Sequence, residues 1–441
     1  MDKDLVQRVY SVFEPKPLGP DQQSLYVDLD AVRGNTDVVS RLARTIQLSE
    51  GNPTCQVLAG HRGSGKSTEL LRLKERLETG SPAMFVVYVR ADEYLDRNDV
   101  DFPEVLIAMV RQMAQDLAER AKIRLKPGYF KDRMERLKAV LTSTIDFEKF
   151  ELSAGLFKVA AAIKGSPDAR AEIRKLLEPD TSNLIDAAND VISEAVLRLG
   201  EKGKTGLVVL MDDLDKMVVR EHAGTGCKTD EHLFVNRAAQ LTGFRCHVVY
   251  TMPLSLAYSH QESAICINYG GHLPVVPMTR IAERPPGARP YGPGMDKFRE
   301  IIAKRLQQAE AQPAEVFAND AVRDELVGLS GGQPSELMSL VREAIIAHKL
   351  PIDASSLERA KVEGRREYAR QLRADHWPIL EKVRSTGAYT RTIEREPAWR
   401  ELLEGRAILQ YAADEEWYAL NPMVALISPP RSEGSEGLVV P

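Results

Sequence analysis

Four short runs of apolar residues are separated along the chain by segments whose apolar residues recur at helical spacing. The runs cover residues 56–59, 84–89, 207–211 and 247–252. A short apolar run is typical of a strand that is buried on both faces of a sheet. Helical spacing is found at 35–46, 68–77, 103–122, 131–141 and 183–199, whereas residues 145–163 fit either a strand or a helix. Strands that alternate with helices predict an α/β fold with a parallel sheet.

The second half of the chain predicts helices followed by a small pair of strands. Residues 284–294 contain four Pro and three Gly, so we expect an exposed loop or linker there. Helical spacing follows at 297–307, 318–329, 335–348, 377–386 and 397–404. Two short strands at 407–411 and 417–420 flank an Asp-Glu-Glu turn. Helices followed by such a hairpin favour a winged-helix unit.

The two ends of the chain differ from this pattern. Residues 1–35 include Pro15, Pro17 and Pro20, which argue against a helix in this segment. The stretch from Ser428 onward is rich in Pro, Ser and Gly, so we expect it to be disordered.

Composition narrows the class of protein without identifying it. Of the 441 residues, 43% are hydrophobic and 28% are charged, as in a protein with a well-developed core. The net charge of −5 gives no overall attraction to nucleic acid. The four cysteines contain no C-x-x-C pair, and no apolar run reaches about 18 residues. With no signal-peptide pattern after Met1, we expect a cytoplasmic protein without membrane insertion.

The strongest chemical signal is a glycine-rich loop between the first predicted strand and the next helix. Residues 60–67 read Gly-His-Arg-Gly-Ser-Gly-Lys-Ser and fit the P-loop pattern G-x-x-x-x-G-K-[ST] at every fixed position. Glycines let backbone N–H groups approach phosphate oxygens, and the helix directs its positive dipole end at them. Lys66 is expected to neutralise the β and γ phosphates, and the Ser67 hydroxyl to ligate Mg²⁺. The sequence therefore predicts binding of ATP, or another purine nucleoside triphosphate, with Mg²⁺.

A second motif supplies the acidic partner that a P-loop needs. The apolar run 207–211 ends in Asp212-Asp213-Leu214-Asp215, the form of a Walker B strand. We expect Asp212 to hold Mg²⁺ and Asp213 to orient or deprotonate the attacking water. Asp215 is expected to cap the next segment or to bind a basic neighbour.

Four further features are less specific. Thr251, at the end of the next strand, would sense the γ-phosphate or bond only to local backbone. Arg280 or Arg220 could act as an arginine finger.

Residues 329–333 match the ABC-transporter signature but follow Asp212 by over a hundred residues, so we interpret them as a helix end before Pro334. His222, Cys227 and His232 lack a fourth ligand and are expected to be ordinary loop residues.

Together these motifs resemble the STAND class of signal-transduction P-loop NTPases and the related archaeal origin-recognition-like AAA+ ATPases. The matching parts are residues 60–67, 207–215 and 247–253, with Gly332-Gln333-Pro334 similar to the Gly-x-Pro element of the helical domain. The resemblance covers about residues 30–425. It implies that nucleotide state sets the arrangement of core, lid and winged helix, with ADP holding a closed monomer and ATP, together with a trigger, permitting assembly. It also implies that Pro334 contacts the nucleotide or braces the lid.

The predicted domains are an N-terminal extension (1–34), a P-loop NTPase core (35–280) with a helical insertion (95–205), a helical lid (281–350), a winged-helix-like domain (351–427) and a tail (428–441). The residues expected to bind nucleotide are Gly60, His61, Arg62, Gly63, Ser64, Gly65, Lys66, Ser67, Thr68, Thr251 and Pro334. Those expected to hold the metal are Ser67 and Asp212, and those expected to be catalytic are Lys66 and Asp213.

The leading functional hypothesis is an ATP-hydrolysing regulatory switch. Sensor repeats and an effector domain, which are usual in the STAND class, are missing, so we expect a protein partner in a prokaryotic defence or stress system. A nucleotide-dependent homo-oligomer is a further expectation. The alternative is an origin-recognition-like DNA-binding ATPase, which the acidic turn at 414–416 disfavours because it would repel phosphate. A third possibility is a metabolic kinase with a substrate site in residues 95–205.

Overall fold

The computed structural model describes residues 3–49, 51–125, 161, 164–222, 224–285, 289–347 and 350–429. The strands are β1 (Cys55–Gly60), β2 (Phe85–Arg90), β3 (Leu207–Asp212), β4 (His247–Thr251), β5 (Val275–Val276), β6 (Ile408–Ala412) and β7 (Glu416–Leu420). The helices are α1 (Lys3–Val12), α2 (Val38–Gln47), α3 (Lys66–Thr79), α4 (Ala91–Tyr94), α5 (Phe102–Arg120), α6 (Pro167–Leu177), α7 (Thr181–Gly200), α8 (Thr229–Glu231), α9 (Ala238–Leu241), α10 (Leu254–Ala257), α11 (Glu262–Asn268), α12 (Gly292–Gln308), α13 (Pro313–Val316), α14 (Asp320–Leu329), α15 (Pro334–Ala347), α16 (Ala354–Gln371), α17 (Trp377–Thr386), α18 (Glu396–Glu404) and α19 (Pro422–Ala425).

The central sheet has five parallel strands among the described residues, in the order β2-β3-β4-β1-β5. β4 lies between β1 and β3, with Thr251 opposite Leu58 and Tyr250 opposite Met211. Because the strands are parallel, their carboxyl ends meet at one edge. That edge collects the glycine-rich loop after β1, the acidic segment after β3 and Thr251.

Helices cover both faces of this sheet, so the core has three layers. The alternation is visible on β3, where Val208 and Leu210 pack against α2 and α3. Val209 and Met211 point to the opposite face, which α5 and α7 cover. The continuous apolar run of β3 therefore reflects burial on both sides. The predicted α/β class, a P-loop NTPase fold with a three-layer parallel core, is confirmed.

Several elements differ from the prediction, among them the helix α6 (Pro167–Leu177), which was not predicted. Residues 3–12 form α1, so the expectation of no helix in the N-terminal segment is wrong: the helix ends before the first proline, and Val9 is fully buried. β5 and α16 were not predicted. The predicted helix at 131–141 lies outside the described residues, as do nearly all of 145–163 and the tail from residue 430.

The C-terminal part folds back onto the core. α17 and α18 precede the antiparallel hairpin of β6 and β7, as the patterning predicted. The outer edge of β6 pairs with the segment after β5, since the Met278 N–H donates to the Gln410 carbonyl over 3.0 Å. The winged-helix assignment and the domain boundaries stay predictions. Among the described residues there is no helix with the length and apolar character needed to cross a membrane.

Candidate functional site

The loop between β1 and α3 has a backbone that only glycine adopts easily. Gly60, Gly63 and Gly65 have φ values of +154°, +80° and +107°. A side chain on Gly63 would also overlap Ser335 Oγ at the start of α15. These glycines therefore serve two purposes: they allow the turn, and they let the chain lie close to its neighbours.

Lys66 begins α3, and its side chain folds back over the loop. Its Nζ donates to the carbonyls of Gly60 at 2.7 Å and His61 at 2.8 Å, and lies 2.9 Å from Asp215 Oδ2. The side chain is only 4% exposed, so the ammonium group has exchanged water for these three acceptors. The sequence allowed Asp215 to bind a basic neighbour, and that neighbour is the P-loop lysine. The sequence spacing of the two motifs did not show that Lys66 and Asp215 pair with each other.

Asp212 ends β3 and meets the loop through Ser67. Its Oδ2 accepts a 2.5 Å hydrogen bond from Tyr88, and its Oδ1 accepts the Asp213 N–H at 2.7 Å. Burial and the charge of Asp215 raise the pKa of Asp212, while hydrogen bonds from Ser67 and Tyr88 lower it. A buried carboxylate beside a serine hydroxyl supplies the hard oxygen donors that Mg²⁺ prefers, so these residues fit the predicted metal.

Asp213 lies in the left-handed region, with φ of +68°. Its carboxylate pairs with Lys216 and lies 3.5 Å from Arg90 Nε. Burial, followed by the charge of Asp212, raises the pKa of Asp213 to about 7. A carboxyl group with that pKa can accept a proton near neutral pH, as general-base catalysis requires. Oxygen atoms of Asp212, Asp213 and Asp215 lie within 4.8 Å of one another.

Thr251 is buried, and its hydroxyl accepts the Leu214 N–H at 3.1 Å. This contact ties the end of β4 to the acidic segment after β3, and a role for Thr251 in sensing the γ-phosphate stays a prediction. Arg280 pairs with Glu283 and stacks over Tyr291, and Arg220 is exposed. A role for either arginine in phosphate binding stays a prediction.

A cavity of about 280 Å³ opens beside the loop. Its walls come from the loop and α3, the segment 15–29, and two helices of the predicted lid. The lining residues outside the loop include Leu18, Leu25, Tyr26, Val27, Leu29, Ile301, Pro334 and Met338. Thr68 also lines the cavity, and its hydroxyl accepts the Leu18 N–H at 3.2 Å. An apolar wall next to a phosphate loop suits a flat nucleobase.

Two buried arginines at this cavity were not identified from the sequence. Arg33 donates to the Ser64 carbonyl over 2.5 Å and to Thr279 Oγ1 over 3.1 Å, and so braces the loop from behind. Arg305 on α12 is 6% exposed, and its buried Nε has no hydrogen-bond partner. Burial lowers the pKa of Arg305 to about 10, so the group remains charged at neutral pH. Neither arginine belongs to a short motif, and only the tertiary fold brings them to the loop.

The lid side of the loop is held by residues around Pro334, the first residue of α15. Gln333 Nε2 donates to the Arg62 carbonyl over 2.6 Å, and Arg62 Nη2 donates to the Met217 carbonyl over 3.1 Å. α14 ends at Leu329, before Gly331 and Gly332 with φ of +59° and +73°. The interpretation of 329–333 as a helix end before Pro334 at the first helical position is therefore confirmed.

The C-terminal hairpin reaches the loop from the other side. The Gln410 N–H of β6 donates to His61 Nε2 over 3.0 Å, and both side chains are buried. Burial lowers the pKa of His61 to about 3, and the positive charges of Lys66 and Arg406 contribute. His61 is thus neutral at physiological pH, which it must be if Nε2 is to accept a hydrogen bond.

Residues 35–225 match the KAP family P-loop domain. No curated protein matches the chain. Among solved structures, the chain is similar to the Walker-type ATPase of Pyrococcus abyssi, with 15% identity, a TM-score of 0.45, and coverage of 94% of this chain and 98% of that chain. It is also similar to the ORC1 protein of Aeropyrum pernix in complex with DNA, with 14% identity, a TM-score of 0.40, and coverage of 92% and 93%. The chain is also similar to the ORC2 protein of Aeropyrum pernix, with 12% identity, a TM-score of 0.41, and coverage of 94% of this chain and 95% of that chain.

The parallel sheet places a complete P-loop beside the acidic end of β3. The family match covers both of these elements. The chain therefore contains a P-loop NTPase domain.

Proposed function

We propose that the protein binds ATP with Mg²⁺, hydrolyses it slowly, and uses the bound nucleotide to set the positions of its lid and C-terminal hairpin. The observation that carries this proposal is the double attachment of the P-loop. Gln333 from the lid side holds the Arg62 carbonyl, and Gln410 from the hairpin holds His61. A phosphate group that reorders this loop would act on both attachments at once.

The proposed chemistry uses the residues at the edge of the sheet. Lys66 would leave its carbonyl partners for the β and γ phosphates, while Ser67 and Asp212 would hold Mg²⁺, which neutralises phosphate charge. Asp213, with its pKa of about 7, would take the proton of the attacking water. Thr251 already bonds to the acidic segment and would report the γ-phosphate to it.

Nucleotide binding would also close the lid. Pro334 and Met338 line the same cavity as the loop, and Arg305 brings a buried charge with an unpartnered Nε. No carboxylate among the described residues pairs with Arg305, and a triphosphate would supply that counter-charge. A ligand that contacts two bodies at once shifts the equilibrium toward the arrangement in which both contacts are made.

The proposed arrangement of lid and hairpin would control the binding of a protein partner. A second copy of this chain is one such partner, which would give a nucleotide-dependent homo-oligomer. The hairpin turn supports a protein contact over a DNA contact. Its exposed carboxylates at 414–416 carry negative charge, and Arg284 Nη1 lies 3.0 Å from Glu415 Oε2. An acidic turn that an arginine ties to the core has little attraction for a phosphate backbone.

The test compares wild type, Lys66→Ala and Asp213→Asn, with the exposed Lys202→Ala as a matched control. Nucleotide affinity, turnover, particle mass and co-purifying proteins are measured with ATP and with ADP. We expect Lys66→Ala to lose binding, and Asp213→Asn to bind ATP but turn over slowly. The phosphate-site assignment is wrong if Lys66→Ala keeps the affinity of Lys202→Ala. The switch is refuted if mass and partners are the same with both nucleotides, and an ATP-strengthened, salt-sensitive gel shift with duplex DNA would support the origin-recognition-like alternative.

A further inference from the structure

A group of donor side chains lies outside the nucleotide site, at the amino end of α5. Asp101 is the N-cap of that helix, His232 follows α8, and His222 lies in the loop between β3 and α8. One ligand atom from each of the three lies within 4.8 Å of those of the other two. Asp101 is more than a hundred residues from the two histidines in the sequence, and the fold brings all three together.

The environment of His232 points to a ligand. Its side chain is 7% exposed, and neither ring nitrogen has a hydrogen-bond partner in the part of the chain that the structure describes. Nε2 lies 3.3 Å from Asp101 Oδ1 without the alignment of a hydrogen bond. The His222 ring stacks on it, with centroids 3.8 Å apart and planes at 12°. Because an imidazole binds a metal in the plane of its ring, one of the two rings must turn for both to hold one ion. Buried polar atoms without partners are rare in native proteins because they lose their hydration without replacement.

We propose that Asp101, His222 and His232 form a binding site for a divalent transition metal, with Zn²⁺ as the favoured ion. Two imidazoles and a carboxylate are the donor set that such ions take, and a lone pair from each His would then be satisfied by the metal. Ca²⁺ and Mg²⁺ are disfavoured because they select oxygen donors. The site is separate from the acidic cluster at the end of β3.

The Asp101 carboxylate is held in place by neighbouring donors. Its Oδ1 accepts the Phe102 N–H over 2.7 Å. Arg237 Nε and Nη2 donate to Oδ1 and Oδ2, each over 3.0 Å. An outer partner of this kind fixes the orientation of a ligating carboxylate.

The surrounding charge favours a cation. Five carboxyl groups in this region face three guanidinium groups, those of Arg170, Arg174 and Arg237. The carboxyl groups are Asp96, Asp99, Asp101, Glu104 and Glu178. Burial raises the pKa of Glu104 to about 7, yet the carboxylates outnumber the guanidinium groups even when Glu104 is protonated.

A fourth donor stands on the same loop. Cys227 Sγ lies 2.9 Å from Thr225 Oγ1, which lies 3.1 Å from His222 Nδ1. The loop is closed on itself, because the His222 N–H donates to the Cys227 carbonyl over 2.8 Å. Cys227 is not among the groups whose ligand atoms lie within 4.8 Å of one another, so its thiol would have to move toward the histidines to complete a tetrahedral site. The proposed role is structural: the metal would fasten the loop that follows Asp215 to the start of α5.

The test uses the full-length chain, freed of any affinity tag and treated with a chelator. Zn²⁺ is titrated against a chromogenic chelator without nucleotide, and Co²⁺ is titrated separately to record its visible spectrum. We expect one tight Zn²⁺ per chain and the intense Co²⁺ bands of a four-coordinate site. A charge-transfer band in the near ultraviolet that disappears in Cys227→Ser would place the thiol in the site.

The decisive variant is His222→Ala, because His222 is on a surface loop and its removal leaves the core intact. Its affinity for Zn²⁺ should fall by at least about 10-fold, the lower end of the loss from removing even an outer partner. The exposed His272→Ala is the matched control, and Asp212→Asn separates this site from the Walker B acids; both should keep the ion. The proposal is overturned if wild type binds no stoichiometric Zn²⁺, or if His222→Ala and His272→Ala bind it equally.

Discussion

The contact between His61 and Gln410 gives a prediction that can be worked from the structure. His61 Nε2 must be unprotonated to accept the Gln410 N–H. The pKa of His61 is lowered from the ordinary 6.5 to about 3, mainly by burial and then by Lys66 and Arg406. The contribution of neutral His61 to folding stability is therefore complete above pH 6.5 and is lost as the pH falls toward 3.

The magnitude follows from that shift. Each pH unit below 6.5 lowers the free energy needed to open the contact between His61 and Gln410 by about 1.4 kcal/mol. The loss at pH 5 is therefore about 2 kcal/mol. Replacing His61 by Ala removes the acceptor and leaves the buried Gln410 N–H without a partner, which costs about 1–3 kcal/mol. The two perturbations act on the same hydrogen bond, so their effects should not add.

The assay is hydrogen exchange of the Gln410 amide, expressed as a protection factor so that the intrinsic pH dependence of exchange is removed. In the wild type the factor should fall ~30-fold between pH 7 and pH 5, which is the equivalent of about 2 kcal/mol. In His61→Ala it should fall ~5-fold to ~150-fold at pH 7 and then change little with pH. His61→Gln, which keeps an acceptor but does not titrate, is the control. Equal pH dependence in wild type and His61→Gln would refute the reasoning.

Three further predictions test neighbouring parts of the account. Arg400→Met should destabilise the docking of α18 by about 3–5 kcal/mol, because it leaves the buried carboxylates of Asp230 and Glu231 without their cation. Thermal unfolding measures this loss, with the exposed Arg359→Met as the control, and equal melting temperatures of the two variants would contradict it. Arg305→Gln should weaken ATP binding more than ADP binding, measured by calorimetry, if its guanidinium pairs with the γ-phosphate, and an equal loss for both would remove that role. Turnover by the wild type should rise with pH through about 7, the pKa of Asp213, because the base must be deprotonated; Asp213→Asn should be slow and flat, and the same profile in both would exclude Asp213 as the base.

The parts of the site that could be predicted are those that short segments encode. Residues 60–67 lie on one turn between a strand and a helix, so their spacing alone fixes how glycines and Lys66 face a phosphate. Asp212 follows an apolar run, and parallel strands bring such ends to the same edge. The sheet and its layers follow from the same apolar runs, which is why the fold class was correct.

The missed parts depend on packing between distant segments. Arg33 and Arg305 carry no motif, and they reach the loop only because the segment after α1 and the helix α12 fold over it. The sequence of α1 has an apolar stripe, but the prolines that follow it argue against a helix in this segment. His222, Cys227 and His232 show no fourth donor nearby in the sequence, because Asp101 comes from the start of a different helix.

The most direct test of the switch is hydrogen exchange over Ile408–Ala412, the strand that contacts the P-loop, in Mg·ATP and in Mg·ADP. We predict that protection of this strand differs between the two nucleotides, and that the difference is lost in Lys66→Ala, which cannot bind either. The same protection in both nucleotides, with turnover intact, would contradict the claim that the P-loop controls the hairpin.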